Sequence, residues 1–129
     1  MNNKQTIAAV ALAGLVSLGG SAGQAAGDAV KGKAAFARQC AICHTVDKGG
    51  DNRFGPNLFG ILGQKAGSVP GFNYSRAFKM AASWDWNEDL VAGWIGAPGQ
   101  MVPGTAMGVF QGIAQSDRDD IVAYLATKR

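Results

Sequence analysis

Residues 40–45 of the chain read CAICHT, and this motif constrains the fold more than any other part of the sequence. The chain contains two cysteines and one histidine, and all three lie within the motif as Cys40, Cys43 and His44. About one helical turn separates the two thiols, so that they lie on one face, and the imidazole follows directly. The fold must therefore bring all three side chains to one common group.

Zinc, a structural disulfide and a redox-active dithiol are three possible uses of the motif. Structural zinc takes four ligands, usually including a second Cys or His pair, which this composition lacks. A disulfide between Cys40 and Cys43 would close a very small loop and stabilise the fold little. A thioredoxin-type dithiol normally follows a strand in a β-α-β unit, which the flanking sequence does not predict. The composition and the local sequence disfavour all three uses.

The remaining interpretation is covalent attachment of a c-type haem, for which Cys-x-x-Cys-His is the signature. Each thiol adds to one haem vinyl group, and His44 then binds the iron as an axial ligand. A porphyrin would also supply the apolar centre that a small chain with 19 glycines otherwise lacks. The motif therefore predicts one covalent haem c on Cys40 and Cys43.

The first 25 residues have the pattern of a secretory signal peptide. Lys4 precedes an apolar run at 7–18, and small residues follow that run. The run is shorter than the ~20 apolar residues of a membrane span, although an uncleaved anchor is the alternative. We expect cleavage after Ala25, which leaves a single domain, residues 26–129, in the periplasm.

The charge of the chain argues against nucleic acid as a partner. Twelve lysines and arginines oppose nine aspartates and glutamates, so the net charge is only +3. The basic residues form no continuous block of the kind that a nucleic-acid-binding segment has. We therefore expect no nucleic-acid partner.

Hydrophobic spacing and capping residues predict three main helices and one short helix. The first begins after Asp28, the second begins after Asn87 and ends before Pro98, and the last opens at Ser116 with a capping-box-like pattern. The short helix begins after Ser75. No stretch alternates like a strand, and the long loops carry apolar residues. The sequence therefore predicts an all-α fold with long loops wrapped around one covalent haem.

Met107 is the candidate for the second axial ligand. A methionine on an apolar face is usually core filler. Met80 lies in the predicted short helix, and Met101 lies shortly before Pro103. Met107 instead follows a Pro103–Gly104 turn, which can present the next residues without helical constraint. A thioether ligand favours Fe(II) and raises the reduction potential. With both axial positions filled the iron has no open position, which predicts electron transfer rather than catalysis.

From Gly27 to the C-terminus the chain resembles the class I c-type cytochromes of mitochondrial type and their soluble bacterial relatives. The resemblance is carried by GDAVKGKAAFARQCAICHTVDKGG, GPNLFGILG, PGFNY, VPGTAM and DDIVAYL. It implies the small cytochrome c fold, in which the last helix crosses the first near Gly32. It also implies a monomeric electron carrier, not an enzyme. The expected partners are membrane or periplasmic redox proteins: a quinol-oxidising complex, a terminal oxidase or a dehydrogenase.

The same resemblance assigns roles to individual residues. The carbonyl of Pro56 would accept the ring N–H of His44, which fixes the tautomer of the ligand. Tyr74 and Trp86 occupy positions that bind the haem propionates. Met107 matches the axial methionine. These residues, with the two cysteines, form the predicted haem site.

Three positions depart from the pattern of the family. Gln64 stands where a basic residue near the inner propionate is usual, and Phe78 stands where asparagine is usual. Trp94 replaces a tyrosine whose hydroxyl touches the methionine sulfur, and we expect it to remove that donor. A labile methionine ligand would favour the alternative function, a haem-based peroxidase or gas-ligand sensor.

Overall fold

The structure is a computed structural model that describes residues 27–129. The predicted signal peptide and its cleavage site lie outside the described residues. The helices are α1 Ala29–Gln39, α2 Arg76–Ala81, α3 Glu88–Gly96, α4 Pro98–Met101 and α5 Gln115–Ala126, with a 3₁₀ turn at Ala106–Val109. Within residues 27–129 there is no strand, only an isolated bridge between Lys65 and Asp85. The predicted all-α fold class is confirmed.

Side-chain caps place the starts of three helices where the sequence predicts them. The Asp28 carboxylate accepts the N–H groups of Val30 and Lys31 at 2.8 and 3.1 Å and so caps α1. Asn87 caps α3 in the same way through an N–H at 2.8 Å, and Ser75 caps α2 at 3.3 Å. These oxygens satisfy backbone donors that have no partner within the helix.

The start of α5 differs from the prediction. The helix begins at Gln115, its N-cap is Ala114, and no side chain caps it. Ser116 is therefore already inside the first turn, so the predicted capping box is wrong. The start is held instead by Arg118, whose Nε donates to the carbonyl of Ile113 at 2.9 Å.

The crossing of α1 and α5 closes one side of the fold. A Cβ at buried Gly32 would overlap the carbonyl oxygen of Asp120 on α5, so glycine is what lets the two backbones touch. The Phe36 and Tyr124 rings meet beside it, with centroids 5.6 Å apart. The backbone N–H of Asp28 also donates to the Asp120 carboxylate at 2.7 Å. The crossing therefore lies at Gly32, as the resemblance implies.

The long segment between α1 and α2 wraps around the interior through backbone hydrogen bonds to distant parts of the chain. Leu58 N–H donates to the Thr45 carbonyl at 2.8 Å, and Gly60 N–H donates to the Lys128 carbonyl at 2.7 Å. The loops thus form the walls of the cleft in which the candidate site lies.

Across the part of the chain that the structure describes, no helix is both long and apolar enough to cross a bilayer.

Candidate cofactor site

An apolar cleft enters the fold beside the C-terminal end of α1. The cleft is partly open to solvent, and its lining is mainly apolar and aromatic. The predicted site residues all line it: Cys40, Cys43, His44, Pro56, Tyr74, Trp86 and Met107. The fold thus brings together residues that are as far as 67 positions apart in sequence.

The cysteine motif continues α1 as a hydrogen-bonded turn. The carbonyl of Cys40 accepts the N–H groups of Cys43 and His44 at 3.0 and 2.9 Å. Both cysteines of the described chain are free thiols, and burial, aided by the neighbouring Cys43, raises the pKa of Cys40 to about 11. Among residues 27–129, no group of three or more His, Cys, Asp and Glu could hold a metal ion. The surroundings therefore favour attachment to an apolar group over zinc binding.

The ring of His44 is held neutral, with one nitrogen free. Its Nδ1 lies 2.8 Å from the carbonyl oxygen of Pro56, which can only accept, so Nδ1 carries the hydrogen. Burial holds the pKa of His44 below its ordinary value, although the hydrogen bond to Pro56 opposes this. A Cβ at Gly55 would collide with the ring, so glycine makes room for it. Nε2 is thereby left free to bind a metal.

Met107 lies on the 3₁₀ turn. Gly104 precedes this turn and has a left-handed backbone conformation, with a φ of +83°. The Sδ of Met107 is 2.9 Å from Nε1 of Trp94. Among the methionines of residues 27–129, only Met107 lines the cleft. Met80 is 76 % exposed on α2, and Met101 is half-buried on α4. The helical turn at Met107 itself was not predicted.

The contact at Met107 corrects the expectation for Trp94. We expected the sulfur to lose its hydrogen-bond donor, but the indole N–H points to the sulfur and replaces the missing hydroxyl. The side chain reaches it because α3 directs Trp94 into the cleft, where it is buried. The sequence contains one signal for this contact: tryptophan, unlike phenylalanine, has an N–H that can donate a hydrogen bond.

Four aromatic side chains form one side of the cleft, here called the aromatic wall: Tyr74, Phe78, Trp86 and Trp94. Phe78 is at its centre, with ring centroids 5.3 Å from Tyr74, 6.5 Å from Trp86 and 5.2 Å from Trp94. The Tyr74 hydroxyl accepts the N–H of Val69 at 3.2 Å, and burial raises the pKa of Tyr74. The hydroxyl hydrogen of Tyr74 is thus retained and available to donate.

Gln64 does not face the cleft. Its Nε2 donates to the carbonyl of Gly60 at 2.9 Å, and it is not among the lining residues. The amide of Gln64 is therefore bonded to the backbone of its own loop. Within residues 27–129, no Lys, Arg, Asp or Glu lines the cleft.

The donor set of the cleft fits a covalently attached haem. Two thiols one turn apart suit the two vinyl groups, while a neutral imidazole and a thioether offer two axial ligands of the kind iron takes in electron-transfer proteins. The hydroxyl of Tyr74 and the indole of Trp86 line the cleft and would offer donors to the carboxylates of such a group. The apolar remainder of the lining suits the porphyrin plane.

Comparisons with known proteins agree with this chemistry. The family model described as cytochrome c matches residues 29–128. Cytochrome c of Gibberella zeae is 43% identical over 102 residues, which cover 78% of this chain and 94% of the relative. Cytochrome c of Stellaria longipes is 42% identical over 100 residues, 77% and 91% of the two chains. Cytochrome c2 of Rhodomicrobium vannielii is 41% identical over 120 residues, 92% and 94%.

Proposed function

Since the chain belongs to the cytochrome c family and is thereby a haem-based electron carrier with one covalent haem c, we propose that His44 and Met107 ligate its iron. The observation that carries this proposal is the cleft itself. It contains one imidazole with a free Nε2, and Met107 is the methionine that lines it. The haem, when bound, supplies the one-electron chemistry.

The protein's own residues then have separate tasks. Cys40 and Cys43 attach the group, and the Pro56 carbonyl orients the imidazole through the bond at 2.8 Å. Tyr74 and Trp86 donate hydrogen bonds to carboxylates. The buried apolar side chains exclude water from the iron. With two protein ligands in place, there is no position for a substrate, which supports electron transfer as the function.

The alternative function, a peroxidase or gas-ligand sensor, loses the residue that favoured it. That hypothesis depended on Trp94 leaving the sulfur without a donor, whereas the indole N–H lies 2.9 Å from it. The lining offers no second histidine or arginine, within residues 27–129, to assist cleavage of a peroxide. A resting spectrum of high-spin iron would restore this alternative.

We propose that the carrier works in the periplasm as a monomer. The predicted signal peptide supports the location. The partners would be membrane or periplasmic redox proteins, namely a quinol-oxidising complex, a terminal oxidase or a dehydrogenase. Stopped-flow mixing of the reduced and the oxidised protein with membranes from its own source would identify which membrane components donate electrons to the protein and which accept electrons from it.

The ligand assignment is tested by three single substitutions. Met107→Ala should abolish the weak red absorption of ferric methionine-ligated haem and lower the potential strongly, because the thioether that favours Fe(II) is lost. Met80→Ala and Met101→Ala are the matched controls and should retain the band. Loss of the band in Met101→Ala but not in Met107→Ala would contradict the assignment.

A further inference from the structure

Trp84, which adjoins the aromatic wall, has a buried hydrogen-bond donor without a polar partner. The side chain as a whole is half-buried, but its Nε1 is buried and makes no hydrogen bond. Among the buried side-chain nitrogens and oxygens of residues 27–129, it is the only one without a partner. A buried donor that is left unpaired is destabilising, so the surroundings of this atom should contain an acceptor of another kind.

The neighbours of the Trp84 indole are aromatic rings. Its ring centroid lies 5.6 Å from that of Trp86 at an interplanar angle of 84°, and 6.0 Å from that of Phe78 at 78°. Rings that are nearly perpendicular at such distances place the edge of one against the face of the other. Since Nε1 is buried while the side chain is half exposed, the edge that carries the N–H is turned toward these neighbours and not toward solvent.

We propose that the N–H of Trp84 donates to the π face of Trp86, and that Trp84 is thereby a positioning residue for that indole. Trp86 is favoured over Phe78 as the acceptor, because its ring is the closer and the more nearly perpendicular of the two. Indole is also the aromatic face that attracts positive charge most strongly. This inference rests on the proposed task of Trp86 as a donor to a haem carboxylate.

The backbone of Trp86 is held on both sides, so the direction of its side chain depends on the neighbouring rings. Its backbone N–H donates to the Gln64 carbonyl at 2.8 Å, and its carbonyl accepts the Gly63 N–H at 2.7 Å. The side chain is buried and lines the cleft, and Phe78 is stacked nearly parallel to it at an interplanar angle of 20°. A stacked ring permits sliding in its plane, whereas such sliding would move the face away from a donor that points at it. The Trp84 contact therefore holds the Trp86 indole in one direction.

The contact also acts on the electrons of Trp86. The face of an aromatic ring is negative and its edge is positive, so the Trp84 N–H is attracted to the face. N–H···π bonds are weak, but hydrogen bonds in series polarise one another. Withdrawal of electron density from the Trp86 ring makes its own N–H a stronger donor. Trp84 thus contributes to binding of the carboxylate although it does not line the cleft.

The test removes the N–H and keeps the shape of the side chain. Site-specific replacement of Trp84 by 3-benzothienylalanine retains both fused rings and puts sulfur where the N–H was. The chain has three tryptophans, so hydrogen–deuterium exchange of each indole N–H can be followed by NMR in the ferrous, haem-loaded protein. Exchange at Trp86 should become about two- to fivefold faster, the factor to which the free energy of such a contact corresponds. Exchange at Trp94, the internal control, should not change.

Three outcomes would contradict the proposal, and they differ in what they leave standing. Equal acceleration at Trp86 and Trp94 would show general destabilisation and overturn the positioning role. A Trp86 N–H that is equally protected in both proteins would overturn the inference and leave the carboxylate contact standing. Exchange at Trp86 in the wild type as fast as in an exposed indole would instead refute the proposed carboxylate contact itself.

A measurement on the wild-type sequence covers the case in which the replaced protein does not fold. In the ferrous, haem-loaded protein, the Trp84 indole proton should show nuclear Overhauser effects to the ring protons of Trp86. Their absence would refute the contact between the two indoles, whatever the exchange rates.

Discussion

Side chains that line the cleft carry few ionisable groups, and none of those within residues 27–129 is a lysine, arginine, aspartate or glutamate. The titratable groups there are Cys40, Cys43, His44 and Tyr74. In the proposed site, haem attachment would consume the thiols and iron binding would occupy the imidazole, and burial raises the pKa of Tyr74. A haem carboxylate enclosed in this cleft would therefore meet hydrogen-bond donors but no cation, and its pKa should be raised.

The reduction potential should accordingly depend on pH. The deprotonated carboxylate stabilises Fe(III), so the potential should fall as pH rises through the carboxylate pKa, between about pH 5 and 8. Spectroelectrochemical titration across that range measures the slope. A flat profile in the wild type would contradict the prediction.

The composition of the site could be predicted from the sequence, but the directions of several side chains could not. Cys40, Cys43 and His44 are close together in sequence, so one short motif was enough to predict covalent haem attachment. The orientation of Trp94 depends on a sulfur 13 residues away that folding brings near. Gln64 bonds to a carbonyl only four residues earlier, but in an irregular loop whose path has no periodic sequence pattern.

Among the helical elements, the contact between α1 and α5 permits the least change. Gly32 lies against the Asp120 carbonyl, and the two helices join there without an intervening side chain. Gly93, on the solvent-facing side of α3, has nothing within 4 Å of where its Cβ would be. Substitution by alanine at these two positions should therefore have opposite effects on the free energy of unfolding.

Gly32→Ala should lower the free energy of unfolding by about 1–3 kcal/mol or more, because the helices must separate to admit the methyl group. Gly93→Ala should raise it by about 0.5–1 kcal/mol, because alanine restricts the unfolded chain and favours the helix. Guanidinium denaturation of the haem-loaded protein, followed by far-UV circular dichroism, measures both. Destabilisation of equal size in the two variants would show that the crossing is not the cause.

Helices with a side-chain cap were predictable, and the shortest elements were not. Asp28 and Asn87 mark their helices in the sequence because their side chains bond to the next turn. The four-residue α4 and the 3₁₀ turn at Met107 have no side-chain cap. Single turns of this kind are too short to be stable alone and form through tertiary contacts, which a local pattern does not report.

At the scale of the molecule, no charged residue of the described chain, residues 27–129, lines the cleft or its mouth. Ile42, Phe54 and Val109 line it and are 77 %, 86 % and 86 % exposed. Gln39 and Ala106, which also line the cleft, carry no charge. Lys31, Lys33, Lys65 and Lys79 are not among the lining residues. A partner that docks over the haem edge should therefore meet mainly apolar surface.

Association with the native partner should depend only weakly on ionic strength. Charge-steered encounters reach ~10⁸–10⁹ M⁻¹s⁻¹ and slow steeply with salt, whereas neutral ones are nearer ~10⁵–10⁶ M⁻¹s⁻¹. The bimolecular rate should fall much less than tenfold between about 10 and 200 mM salt. Ala106→Lys, beside the cleft, should raise the low-salt rate with an acidic partner and steepen the dependence. A steep decline in the wild type would show that a basic docking surface exists elsewhere.

The aromatic wall also determines how much the protein must rearrange when an electron leaves. Loss of one electron changes the charge at the iron by one unit, and nearby dipoles that are free to turn would have to follow. Phe78 has no dipole to turn, and the Trp94 N–H is already held by the sulfur. Polar groups fixed in advance add no reorganisation at the moment of reaction. Electron exchange should therefore have a small reorganisation energy, so that a modest driving force gives a fast transfer.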